Sequence, residues 1–156
     1  MPVAFFGRKP TADMKNKQKP DYRALIREKG LRATPARLAV CDALLQAEGP
    51  LTHAEVAKLL DERGTDQTTV FRNLCDLAEV GLVRRLEVGD HLYRFEWSGT
   101  AESESGHAHF VCVDCGEVTC LHDMSAASAP PVQKAAKRGI REVTEVLYKG
   151  HCTQCN

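Results

Sequence analysis

Residues 67–96 read QTTVFRNLCDLAEVGLVRRLEVGDHLYRFE, and the apolar spacing changes partway along. Over the first part, Val70, Leu74, Leu77 and Ala78 recur at helical spacing until Gly81 stops the run. This predicts an amphipathic helix beginning near Gln67-Thr68-Thr69, with Cys75 at a core-like position as a small hydrophobe. Past Gly81 the spacing changes to that of strands. Residues 82–88 and 91–96 predict two strands joined by a hairpin turn at Gly89-Asp90.

Three shorter helices are expected upstream. Tyr22, Leu25 and Ile26 share a face over 21–29, and Gly30 ends that segment. Thr34-Pro35 is an N-cap followed by proline at the first helical position, opening a helix to about Ala47 with Leu38, Cys41, Leu44 and Leu45 inward. Thr52-His53-Ala54-Glu55 has the spacing of a capping box for a third helix running to about Arg63. Four helices followed by a hairpin is the order of a winged helix-turn-helix, with Gln67–Glu79 in the recognition position.

The chain has 156 residues, 43% hydrophobic and 27% charged, which excludes wholesale disorder and leaves room for one domain or two small ones. No apolar run approaches the roughly 18 residues of a membrane span, and no signal-like core follows the N-terminus. A soluble, cytoplasmic protein without membrane association is expected. Net charge is zero, but Arg8, Lys9, Lys15, Lys17 and Lys19 against Asp13 give residues 1–20 a charge of +4. Those residues form a basic tail suited to a polyanion or to solubilisation.

Residues 98–106 are polar and predict a hinge before a second unit at 107–156. There 110–112 and 118–121 predict short strands around a Cys-x-x-Cys-Gly turn, 127–137 a helix ending near Gly139, and 142–148 a further strand. So small a unit is marginal without a metal or partner subunit. Cys112, Cys115, Cys152 and Cys155 form two Cys-x-x-Cys pairs, a spacing that supplies four thiolates to a closed structural Zn2+ site. His107-x-His109 precedes the first pair, and alternation along a strand puts both imidazoles on one face. With Glu96, His91, Cys120 and His122 nearby in sequence, these residues predict a second, more open metal site across the hinge.

Gly30-Leu-Arg-Ala-Thr34-Pro35-Ala-Arg37, Thr69-Val-Phe71-Arg72-Asn-Leu74, His107-x-His109-x-x-Cys112-x-x-Cys115-Gly116 and Gly150-His151-Cys152-x-x-Cys155 stand in this order. Together they resemble the ferric uptake regulator (Fur) superfamily of bacterial metal-dependent repressors, over residues 21–156. The resemblance implies an α+β chain: a winged-helix DNA-binding domain (21–97), the hinge (98–106), and a small α/β dimerisation domain (107–156). It implies a homodimer that binds a palindromic double-stranded DNA operator when metallated. Matched position by position, the four paired cysteines become structural zinc ligands, and Glu96, His107 and His109 become regulatory ligands. Arg32, Arg37, Phe71 and Arg72 become DNA contacts, to which the recognition-helix reading adds Gln67, Thr68 and Thr69. Phe71 stands where the family carries tyrosine, leaving apolar contact with a thymine methyl but no hydroxyl.

Departures from the family pattern narrow the expectation. Cys120 takes a position that often holds a carboxylate, and a frequent ligand histidine is absent near Pro50, with His53 displaced into the third helix. Gly106, Ala108, Ala127 and Thr144 stand at the approximate positions of a second regulatory site. One sensing site per subunit is expected, completed by His53, His91 or Cys120. A thiolate there favours zinc over harder ions, with iron(II) and then manganese as the other options. The expected function is metal-dependent repression of metal-homeostasis genes, not enzymatic catalysis, since no motif suggests a cleft with a general base. The alternatives are a zinc-stapled storage or redox module, an open-zinc hydrolase, and a peroxide-responsive regulator of the same superfamily.

Overall fold

The computed structural model describes residues 20–99, 107–125, 136–141, 143 and 145–155. The basic tail, most of the hinge, and residues 127–135 of the expected helix lie outside the described residues. Helix α1 (Tyr22–Glu28) is capped by Asp21, whose carboxylate accepts from the Arg23 and Ala24 amides at 3.0 and 3.2 Å. Helix α2 (Pro35–Gln46) starts at the Thr34 cap with Pro35 in its first turn, as its sequence dictates. In helix α3 (His53–Asp61) the capping box closes both ways. The Thr52 amide donates to Glu55 Oε2 at 2.7 Å, and the Glu55 amide donates to Thr52 Oγ1 at 3.3 Å. Helix α4 (Gln67–Glu79) is capped by Asp66, which accepts from the Thr69 amide at 2.9 Å.

Strands β1 (Leu51–Thr52), β2 (Val83–Glu87) and β3 (Tyr93–Trp97) form an antiparallel sheet in the order β1-β3-β2. The sequence reading missed β1, because two residues carry no alternation. The wing turn also differs from expectation. Glu87 pairs with Tyr93, so the connection is a five-residue loop, 88–92, rather than a tight turn at Gly89-Asp90. Asp90 folds back on the chain, accepting from the Leu92 amide at 3.1 Å and from both Arg94 Nη atoms at 3.0 and 2.7 Å. These bonds fix the longer loop, in which His91 adopts a positive φ of 61°.

The main core joins Ile26, Val40, Leu44, Val56, Leu60, Val70, Leu74 and Leu77 to Leu82, Phe95 and Trp97. The Tyr22 and Trp97 rings meet edge-on at 5.3 Å. Cys41 is buried in this core, and burial pushes its thiol up to about 12, so it acts as an inert filler. Cys75 does not join it. The inward face of α4 runs through Val70, Asn73, Leu74 and Leu77, and one residue past Leu74 the helix has turned Cys75 to solvent.

A second sheet, in the order β5-β4-β6, comprises β4 (His107–Cys112), β5 (Val118–Ser125) and β6 (Leu147–Gly150). The β4–β5 pair is antiparallel and the β4–β6 pair parallel. The last strand begins later than 142–148, because its register is set by β4: Leu147 pairs with His109 and Gly150 with Cys112. Of the expected helix, the described part is a short 3-10 turn, Ala136–Arg138. Among the described residues, Val88, Val111 and Val118 form the buried cluster beside this sheet, with Leu147 against them. Val88 comes from the wing loop, so the wing packs on the second sheet. Close approach is also seen at Gly49, where a Cβ would lie 2.6 Å from the Val118 carbonyl oxygen. No helix among the described residues is long and apolar enough to cross a membrane.

Candidate metal centres

The first centre is built from two knuckles brought together by the β4–β6 pairing. Cys112 ends β4, and Gly116, at φ +72°, makes the turn that returns Cys115 towards it. The Gly116 amide donates to the Cys112 carbonyl at 2.9 Å, and the Val113 amide to the Gly150 carbonyl at 2.8 Å. Cys152 and Cys155 follow β6, and the Cys152 amide donates to Cys112 Sγ at 3.3 Å. Sulfur separations are 3.9 Å for Cys112–Cys155 and Cys115–Cys152, and 3.4 Å for Cys152–Cys155. A tetrahedron with zinc–sulfur bonds of about 2.3 Å has edges of roughly 3.8 Å, so the donor set fits that ion. The separations are far beyond the ~2.05 Å of a disulfide.

Electrostatics favour a cation at this centre. The Cys115 and Cys152 backbone amides hold the Cys112 thiol down to about 6, whereas the neighbouring Cys152 and Cys115 sulfurs push Cys155 well above its ordinary value. Four thiols so close cannot all ionise side by side without a positive charge between them. His151 Nδ1 lies 2.6 Å from Asp114 Oδ2, and this bond ties the two knuckles outside the sulfurs.

The second centre gathers Glu96 from β3, His107 and His109 from β4, and Cys120 from β5, with their ligand atoms within 4.8 Å of one another. Glu96 and His109 are 6% and 1% exposed, so a charged and a polar group are committed to the interior. Glu96 Oε2 is 3.0 Å from His109 Nε2, 3.3 Å from His107 Nε2 and 3.7 Å from Cys120 Sγ. His107 Nε2 is near that oxygen but out of hydrogen-bond alignment, and His109 Nδ1 also lacks a hydrogen-bond partner among the described residues. Burial alone would raise the Glu96 carboxyl, but the His107 and His109 imidazoles more than reverse this and hold it below the ordinary range. A carboxylate, two imidazoles and a thiol converging in a buried space, with one ring nitrogen there unsatisfied, fit a divalent ion of zinc's ligand preference.

Sequence reasoning missed two supports of this centre. Arg84, opposite Glu96 on β2, donates through Nη1 to Glu96 Oε1 at 3.2 Å and leaves Oε2 to the other groups. Glu145 Oε1 stands 4.0 Å from His109 Nδ1. The cross-strand register gives the first, but no local pattern announces it. The His122 ring meets the His107 ring at 4.5 Å between centroids, with planes inclined at 46°, and His122 is not part of the four-residue cluster.

Two further ligand candidates lie elsewhere. His91 is exposed on the wing loop, 3.9 Å from Glu87. His53 Nε2 is 2.9 Å from the Gln67 carbonyl oxygen, so that nitrogen is engaged with α4. Of the expected DNA contacts, Arg32, Gln67, Thr68, Phe71 and Arg72 are exposed. The Thr69 hydroxyl serves the N-cap, donating to Asp66. Arg37 departs from expectation. It is buried, donates to the Arg32 carbonyl at 2.7 Å and pairs with Asp76, so its guanidinium braces α2 against α4 instead of facing outwards.

Comparison with known proteins agrees with this architecture. The family model described as "Ferric uptake regulator family" matches residues 28–148. The ferric uptake regulation protein of Neisseria meningitidis (serogroup A, strain Z2491) is 30% identical over 138 residues, covering 85% of this chain and 91% of the relative. The crystal structure of the Vibrio cholerae ferric uptake regulator gives a TM-score of 0.67 at 27% identity, covering 85% and 100% of the two chains. A Pseudomonas aeruginosa ferric uptake regulator structure with manganese gives 0.62 at 26% identity, covering 86% and 99%. Matched from the end of α1 into β6, the chain belongs to the ferric uptake regulator family of DNA-binding transcriptional regulators.

Proposed function

We propose that this chain is a dimeric repressor of metal-homeostasis genes that binds a palindromic operator when its second centre holds a divalent ion. The observation that carries this reading is the buried meeting of Glu96, from the wing strand, with His107, His109 and Cys120 from the second sheet. An ion held there would supply positive charge to a carboxylate and a thiolate, and so join the winged unit (21–97) to the dimerisation unit (107–156) across the hinge (98–106). Arg84 fixes the Glu96 carboxylate from outside, and Glu145 faces the outer nitrogen of His109, an arrangement that orients ligand imidazoles. Cys112, Cys115, Cys152 and Cys155 would hold structural zinc, supplementing the small cluster that the described residues form beside the second sheet.

Zinc is the better fit for the sensed ion because Cys120 supplies a soft ligand, with iron(II) and manganese as harder competitors. The exposed Gln67, Thr68, Phe71 and Arg72 on α4 would face the major groove, and Arg32 the flanking backbone. The test is operator binding by purified protein titrated separately with zinc, iron(II) and manganese, beside His109→Ala and Glu96→Ala. Both variants should stay dimeric, keep the thiolate zinc and lose metal-dependent affinity by about 1–3 kcal/mol. A wild-type metal response in both would remove the sensing role from this centre.

A further inference from the structure

His53 opens α3 directly after the Thr52 cap, and it grips the first turn of α4 at two points. Its Nε2 lies 2.9 Å from the Gln67 carbonyl oxygen, to which the protonated nitrogen donates. Its ring meets the Phe71 ring at 5.4 Å between centroids, with planes inclined at 69°. Gln67 is the first residue of α4, and Phe71 lies one turn further along. Phe71 is 49% exposed, so one side of its ring packs on His53 and the rest is open.

An aromatic ring on a helix surface is otherwise free among its rotamers. An edge-to-face partner weights one of them by roughly two- to tenfold. The Gln67 carbonyl has two lone pairs, so it can accept a hydrogen bond from the imidazole N–H without giving up its helical bond. His53 thus sets both the placement of the α4 N-terminus against α3 and the direction in which the Phe71 ring stands.

Resting on the operator-binding reading above, we propose that His53 is a positioning residue for sequence readout: it holds the Phe71 ring so that its exposed side meets the methyl group of a thymine. This assigns His53 to the DNA-reading apparatus and not to the metal centre. Specificity at that base pair then depends on a residue that need not touch DNA. Removing the thymine methyl deletes about one buried methyl's worth of contact, which corresponds to roughly a fourfold loss of affinity.

The experiment uses the full-length, zinc-loaded protein and an operator selected by the wild type from a random duplex pool. Each thymine is replaced in turn by uracil, and the ratio of uracil-operator to thymine-operator Kd is measured within each variant. Any loss of folding or overall affinity cancels in that ratio. The wild type is expected to give a ratio of about four at one position per half-site, and Phe71→Ala a ratio near one. His53→Ala should fall below two. His53→Phe, which keeps a ring and loses the donor, should retain most of the ratio. His53→Gln, which keeps an amide donor and loses the ring, should not.

A wild-type ratio in His53→Ala, or an undiminished one in Phe71→Ala, overturns the proposal while leaving operator binding intact. Loss of one bound metal in His53→Ala would assign the residue to coordination and overturn it equally. If the wild type selects no sequence from the pool, the operator-binding reading falls and takes this proposal with it.

Discussion

Arg37→Ala separates a strut from a DNA contact, because the two roles predict opposite results. The guanidinium is 10% exposed and its partner Asp76 44% exposed, so the ion pair is desolvated on one side only. A half-hydrated pair contributes at most about 1 kcal/mol. The bond from Nη1 to the Arg32 carbonyl, at 2.7 Å, is charge-assisted and adds about 1.5–2 kcal/mol. Arg37→Ala should therefore cost about 2–3 kcal/mol, and Asp76→Asn less than 1. Trp97 is the chain's single tryptophan and sits in the same core, so urea unfolding of the zinc-loaded protein can be followed by its fluorescence. The midpoint should fall by about 1–2 M for an ordinary urea slope. Arg37→Lys should not restore it, because a lysine cannot bridge two acceptors with a planar fork. The dependence of operator affinity on salt should keep its slope. Unchanged stability with a slope lowered by about one would refute the strut and return Arg37 to the phosphate backbone.

The other perturbations address the metal centres and the wing. Cys112→Ser should lower the protein's zinc content and destabilise the second sheet, because Val88, Val111 and Val118 are a small buried cluster among the described residues; full zinc content and a normal dimer would contradict this. Cys120→Ser should weaken zinc-dependent operator binding more than the manganese-dependent response, and equal effects on both would show that the thiol merely lies beside Glu96. The Asp90 carboxyl, held below its ordinary value of 3.8 chiefly by hydrogen bonds from Arg94, should titrate below that value by NMR. Its contribution to wing stability is then present above pH 3.8 and lost as the pH falls through the lowered value; Arg94→Ala should raise the midpoint towards the ordinary value, with the Leu92 amide bond remaining.

What the sequence makes legible is what local chemistry encodes. Thr34-Pro35 and the Thr52–Glu55 box announce helix starts because capping involves neighbours in sequence. His107 and His109 come together as alternation suggests, despite a break in the β4–β5 register between His107 and Ala108, and the paired cysteines signal a tetrahedral set by spacing alone. What could not be read depends on partners far along the chain. The wing loop is set by Asp90 reaching Arg94, the start of β6 by its register against β4, and the Glu96 orientation by Arg84 across the sheet. Cys75 faces solvent and not the core because one residue of helix phase separates the two. Arg37 shows the same limit for a motif: the pattern names a residue but not the direction of its side chain.

The position of Glu96 explains why an ion at the second centre would move the winged unit as a body. Successive strand residues point to opposite faces, so Glu96 reaches the second sheet while Phe95 and Trp97, on either side of it, enter the main core. Those neighbours are 2% and 8% exposed, and a close-packed interior cannot let them slide independently of the carboxylate. Arg84 binds the same carboxylate from β2, where Val83 and Leu86 are also buried. A shift of Glu96 towards His107, His109 and Cys120 is therefore transmitted through both wing strands into the core against which Val70, Leu74 and Leu77 fix α4. Val88 adds a second point of attachment on the second sheet, so rotation between the units must repack Val88 against Val111 and Val118. Two attachments at the wing, one polar and one apolar, leave few relative orientations. A ligand that strengthened the polar one would select among them, with an expected coupling free energy on the order of 1–3 kcal/mol.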